Sequence, residues 1–256
     1  SAIGMLVATL LLASASAASA SAAAASAAGS ASAASASAAS ASAASASATA
    51  AVPIVRFSDS SPKPLLHSWS AMNDPVMGGR SSSRVAVEGA PARLNFTGTC
   101  AIVPSLQAPG FITAVTGKGL FRSESFVDVS ACEGLTIKAR DFSGGYKGYR
   151  ISFGTAKPIG GKFFAQGYKA DLHPPTHAFG EVKIPFTDFT DFWDDATGKA
   201  IHTCAEKHDY CPDAKTLRDM KTMSIWAEGV EGTVHLEVEA IDAYGCRGAA
   251  EGEGEM

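Results

Sequence analysis

The chain has 256 residues, a formal net charge of −4, 46% hydrophobic residues and only 18% charged ones. Its near-neutral balance and lack of a basic patch argue against nucleic acid as a partner. The first 55 residues carry no charged side chain, so these averages blend two unlike parts, and the part after Arg56 must be judged alone.

Residues 3–13 form an apolar run, too short for a bilayer, which needs about 20 apolar residues. With the small-residue flank Ala13-Ser14-Ala15 it predicts a secretory signal peptide over residues 1–20, although no basic segment precedes it. No Lys or Arg occurs before Arg56, whereas a mitochondrial or plastid transit peptide is rich in Arg. The chain is therefore expected to enter the secretory pathway, to be secreted or, in an alga with complex plastids, to reach the plastid. Residues 21–51 alternate Ser and Ala with no aromatic side chain. Such a tract buries too little to offset its ordering entropy, so a disordered, low-complexity spacer is expected, open to O-glycosylation.

Residues 52–247 are the expected globular part, one domain in length. Its densest run is Trp69 to Ser83, which contains Asn73-Asp74-Pro75-Val76-Met77-Gly78-Gly79. Asn and Asp bond their own following backbone, Pro fixes φ, and Gly admits positive φ or close approach. The run reads either as a structural turn closing one end of a β-domain or as a recognition loop.

Period-two alternation then recurs over residues 84–88, 93–97, 134–139, 148–153, 163–168, 181–184, 223–227 and 232–241. In the last run Val234, Leu236 and Val238 point inward while Glu237 and Glu239 point to water. Helical spacing is confined to residues 213–221, with Leu217 and Met220 on one face. Many short strands between Gly- and Pro-rich turns predict an all-β, antiparallel two-sheet sandwich of jelly-roll type. Asn95-Phe96-Thr97 is a candidate glycosylation sequon on an outward strand position.

The five cysteines are 100, 132, 204, 211 and 246. None forms a Cys-x-x-Cys pair and no His has zinc-finger spacing to two of them, so no structural zinc is expected. Cys204 and Cys211 bracket a polar loop in a way that suits a local disulfide, and a second bridge falls among Cys100, Cys132 and Cys246. His173 and His177 have i, i+4 spacing, but Pro174 and Pro175 between them exclude a helical metal pair. His202 and His208 fall in or beside the cysteine loop, and His235 reads as a surface or sheet-edge residue. Asp188, Asp191, Asp194 and Asp195 admit either a calcium site or a solvated rim. Walker, Gly-x-Ser-x-Gly, dinucleotide and His-Glu-x-x-His motifs are absent, so no cofactor and no catalytic residue is assigned. Residues 248–256 read as an acidic tail carrying Glu251, Glu253 and Glu255.

The string from Trp69 through Asn73-Asp74-Pro75-Val76-Met77-Gly78-Gly79 resembles the signature of the complex I intermediate-associated protein family. So do Phe96-Thr97-Gly98, Asp128-Val129-Ser130, residues 182–186 with Phe189, and the run from Gly232 to Ile241. The resemblance covers residues 65–243. It departs at Pro109-Gly110-Phe111, where Gly-Gly-Phe is usual, in the Cys204 to Cys211 loop, and in the secretory start. It implies a galactose-binding-like sandwich and a non-enzymatic, protein-binding assembly factor. The implied partners are subunits of a respiratory or photosynthetic complex, and the implied binding residues are Trp69, Asn73, Asp74, Val76, Met77, Gly78, Gly79 and Ser81. Two other readings stand beside it. One is a secreted carbohydrate-binding module with Trp193 and Tyr210 as candidate exposed aromatics. The other is a hydrolase using Asp191 and Asp194.

Overall fold

Strand alternation sets the architecture, because each amphipathic strand must bury one face against another layer. The computed structural model describes residues 50–58, 68–74, 78–116, 125–155, 167–194 and 197–247. The expected signal peptide, nearly all of the Ser/Ala spacer, most of the strand expected at 163–168 and the acidic tail lie outside them.

The strands are β1 (Ala50–Arg56), β2 (Trp69–Asn73), β3 (Ser82–Glu88), β4 (Arg93–Cys100), β5 (Ile102–Val103), β6 (Ala108–Pro109) and β7 (Phe111–Thr116). They continue with β8 (Gly134–Asp141), β9 (Tyr149–Gly154), β10 (Tyr168–Asp171), β11 (Gly180–Pro185), β12 (Thr222–Glu228) and β13 (Gly232–Cys246). One sheet runs β11-β8-β13-β4-β3 with β1 also on β13, the other runs β10-β9-β12-β7-β2, and β5 and β6 pair separately. Every pairing in both sheets is antiparallel, as the jelly-roll expectation required.

The two sheets bury their facing sides in one core. Leu94, Phe96, Leu135, Ile137 and Leu236 of the larger sheet and Ile112, Tyr149, Ile151, Met223 and Ile225 of the smaller are fully buried, each worth about 1.5–3 kcal/mol of transfer free energy. Strand β13 is the spine. Its first half pairs with β4 as far as Val238, and β1 takes over that edge from Ala240 to Cys246. A register shift between Val238 and Ala240 changes its phase, so Val234, Leu236 and Val238 face the core before it and Ile241 and Ala243 after it.

The helical spacing at 213–221 yields one short helix, α1 (Ala214–Arg218), whose N-cap Asp213 accepts from Thr216 N at 2.6 Å. Leu217 and Met220 are both buried, as their spacing required. Among the described residues, no helix is long and apolar enough to cross a membrane.

Disulfides join Cys204 to Cys211 and Cys132 to Cys246. The first is the local bridge expected from spacing, and the second resolves the three-way choice and leaves Cys100 as a buried thiol.

Candidate functional site

Two places concentrate chemistry. The first is the corner formed by the signature string. Its opening residues are not turn but strand: Trp69 to Asn73 form β2, paired with β7 from Thr116 to Ile112. The turn begins only at Asp74, because the alternating register of β2 on β7 runs out there. Trp69 is half-buried and packs edge-on against Phe57, ring centroids 5.7 Å apart. The Asn73 amide pairs with Ser83, its oxygen 3.1 Å from Ser83 N and its nitrogen 2.6 Å from Ser83 Oγ.

Asp74 is buried, 1% exposed, and its carboxylate accepts from Ser81 N (3.0 Å), Ser81 Oγ (2.6 Å) and Phe111 N (3.2 Å). Ser81 Oγ in turn accepts from Ala101 N at 2.9 Å. Gly79 and Gly110 press on the same carboxylate, and a Cβ built on either would overlap it. Gly78 has φ +78° with open space around it, so it serves the turn, whereas Gly79 serves close approach. The corner therefore ties β2 and β7 of one sheet to the start of β3 in the other. Cys100 lies beside it, donating to Gly110 O at 3.0 Å, and burial pushes its thiol up to about 11. Of the signature residues, Pro75, Val76 and Met77 lie outside the described residues. Gly78 and Arg80 are exposed.

The second place is the outward face of the smaller sheet. Arg150 on β9, Lys169 on β10 and Glu228 on β12 are 5%, 4% and 5% exposed. Lys169 Nζ lies 2.8 Å from Glu228 Oε1, and Arg150 Nη1 lies 3.6 Å from it and donates to Glu228 O at 3.2 Å. Lys169 Nζ also sits 4.6 Å and 4.2 Å from the ring centres of Trp193 and Trp226, a cation–π clamp. Gly198 presses on the Glu228 carboxylate from the covering loop, where a Cβ would strike it. Beside this cluster a cleft of about 380 Å³ opens along β10 and β11.

This cluster has almost no signature in the sequence. Its only signal is that three charges fall on the outward phase of strands that become neighbours, which is visible only once β10-β9-β12 pairing is known. Trp193, expected as an exposed aromatic, is 8% exposed, because Lys169 and the Trp193–Ala200 bridge fold it inward. Tyr210 is half-buried in a stack with Phe192 and His202, centroids 4.9 Å and 5.9 Å away.

The acidic group does not converge. Asp194 Oδ1 accepts from Thr197 N and Oγ1, both at 2.8 Å, Asp188 lines the cleft, and burial, then the nearby Asp213 charge, raises Asp191. Asp195 lies outside the described residues. Among the described residues no group of three or more His, Cys, Asp or Glu side chains is arranged to hold a metal ion. His173 lines the cleft while His177 packs edge-on against Phe142, ring centroids 6.4 Å apart. His235 lies on β13, between β8 and β4, and so is not at an edge; it packs 5.0 Å from Phe142. Asn95 faces outward beside Glu88, to which its Nδ2 donates at 3.1 Å.

The chain is similar to several solved structures. The solution structure of the module CtCBM11 is 15% identical with a TM-score of 0.45, over 80% of this chain and 99% of that one. The family 11 carbohydrate-binding module of Clostridium thermocellum, in complex with a β-1,3-1,4-mixed-linked tetrasaccharide, is 14% identical with a TM-score of 0.44, over 77% and 96%. The agarase AgWH50C is 9% identical with a TM-score of 0.44, over 77% of this chain but only 26% of that one. No curated protein matches. Residues 55–204, more than half of the chain, match the Complex I intermediate-associated protein 30 family, and the chain belongs to that family.

Proposed function

We propose that the chain is a non-enzymatic, protein-binding module that assists assembly or stability of a membrane redox complex, respiratory or photosynthetic. The observation that carries this reading is the family match across residues 55–204. The geometry of the signature corner agrees with it. Asn73, Asp74 and Ser81 direct their polar atoms into internal hydrogen bonds, so they are engaged in shape and not held ready for acid, base or nucleophile chemistry. What the corner offers outward is Gly78 and Arg80, both exposed, suited to contact with a partner surface. The proposed route of the chain is the secretory pathway, ending outside the cell or in a complex plastid, and of the two only the plastid holds such a complex.

Crosslinking and affinity capture of the tagged full chain from its native cell tests the reading. Subunits of one respiratory or photosynthetic complex are expected to co-purify, and Arg80→Glu is expected to weaken their recovery without lowering Tm. Capture of no such subunit, together with normal complexes in a strain lacking the protein, would overturn it. Imaging the same tagged chain tests the route, and a mitochondrial signal would refute it.

A further inference from the structure

We propose that the cleft along β10 and β11 is a binding site for a neutral saccharide. Strands β10 and β11 end their respective sheets on the side away from β2 and β3. The cleft is therefore separate from the signature corner, and the inference stands apart from the assembly reading.

The cleft is built from fixed groups. Arg150 and Lys169 line it from nine-tenths-buried positions, held by Glu228 behind them, and Trp193 supplies an apolar wall. Asp171, Lys183 and Asp188 form an exposed rim. Its volume of about 380 Å³ falls within the roughly 300–1,000 Å³ of small-ligand sites.

Charge decides against an ionic ligand. Arg150, Lys169 and Lys183 are matched by Asp171, Asp188 and the underlying Glu228, so the cleft has no surplus of either sign to neutralise an ion. What it offers is charged donors and charged acceptors in one lining, together with Thr187 and Thr203. A sugar hydroxyl donates and accepts at once, so vicinal hydroxyls can use both kinds of group. Arg150 Nε lies 3.0 Å from Asp171 Oδ1 in an ion pair that is off the hydrogen-bond axis, so a ligand hydroxyl that accepted from Nε while donating to Asp171 would improve a poorly aligned contact.

Addition of an extended peptide to β10 is disfavoured for a separate reason. The open edge of β10 is already taken, since Lys169 N donates to Thr190 O at 2.8 Å and Thr190 N donates back at 3.0 Å, which blocks strand addition there.

The test is calorimetric titration of the full chain with neutral cello-, xylo-, manno- and agaro-oligosaccharides, with inorganic phosphate as the ionic probe. Tryptophan fluorescence follows in parallel, because Trp193 lines the cleft. At least one oligosaccharide is expected to saturate and perturb the fluorescence. The exposed-rim variants Asp188→Ala and Lys183→Ala, with unchanged circular dichroism and Tm, are expected to weaken it about tenfold, the loss of one charged hydrogen bond. Saturation by none of the oligosaccharides overturns the proposal, as does binding indifferent to both rim variants or binding of phosphate alone.

Discussion

Asp74 receives donors from the approach to β3 and from β7, while Gly79 and Gly110 close on its carboxylate. Asp74→Ala strands those buried donors and should cost about 3 kcal/mol. Gly110→Ala should cost about 2 kcal/mol by overpacking, and less than about 1 kcal/mol once Asp74 is Ala, because the atoms it strikes are gone. Urea denaturation of the two single variants and the double variant measures that coupling; additive costs would show that the glycine serves something other than the carboxylate. Asp141 is a second buried carboxylate, bonded by Ser143 N and Oγ, Gly145 N, Tyr146 N and Tyr149 Oη. Burial raises it, but the hydrogen bonds from Ser143, Tyr149 and Gly145 outweigh burial and hold it below its ordinary value. A lowered folded value means that its stabilisation is complete above the unfolded value, about 4, and disappears as pH falls through the folded one. Asp141→Asn should therefore lower Tm at pH 7 and flatten its decline below about pH 4; an unchanged acid slope would contradict this. Residue identities at the corner were legible as demanding turn chemistry, but their use was not. Phe111 N is 37 residues from Asp74, and nothing local announces that contact.

Among the elements, legibility followed the alternation. Strands β3, β4, β8, β9, β11, β12 and β13 alternate over enough residues to be read directly, and β13 carries its period through to the register shift after Val238. Strand β2 gives no alternation signal, because Trp69 to Asn73 are all half-buried and so carry no inward–outward contrast. Strand β7 gives a weak signal, because its inward set, Ile112, Ala114 and Thr116, mixes small and polar residues. Strand β1 hid behind Pro53 and behind the alanines of the spacer. Pro53 is tolerated because β1 pairs on one side only, opposite Asp242 and next to a register shift. Yet β1 covers the free edge of β13, and Val55 and Phe57 are 6% and 3% exposed. A chain starting at Ser58 should lose about 4 kcal/mol relative to one starting at Ser47, the transfer free energy of those two side chains. Its Tm should fall by about 10 °C. Equal Tm values would make β1 an ornament and not a structural strand.

At the scale of the whole molecule, the two disulfides constrain very different lengths of chain. Cys132–Cys246 spans 114 residues and fastens the segment before β8 to the end of β13, where β1 also pairs through Ala50. Cys204–Cys211 spans 7 residues within one loop. Chain entropy grows with the logarithm of loop length, so the long bridge should contribute about 5 kcal/mol and the short one about 2 kcal/mol. Replacing Cys132 and Cys246 together by Ala should therefore lower the stability of the entire sandwich. Hydrogen exchange should accelerate in β1, β8 and β13 alike, because all three meet at that fastening. Replacing Cys204 and Cys211 should accelerate exchange in their own loop and in the adjoining Trp193–Ala200 bridge, with the core strands β9 and β12 little changed. Thiol counting in denaturant fixes the starting state for both experiments. One reactive thiol, Cys100, is expected before reduction and five after it. If the short-loop variant loses as much global stability as the long-loop one, the stabilisation does not come from chain constraint.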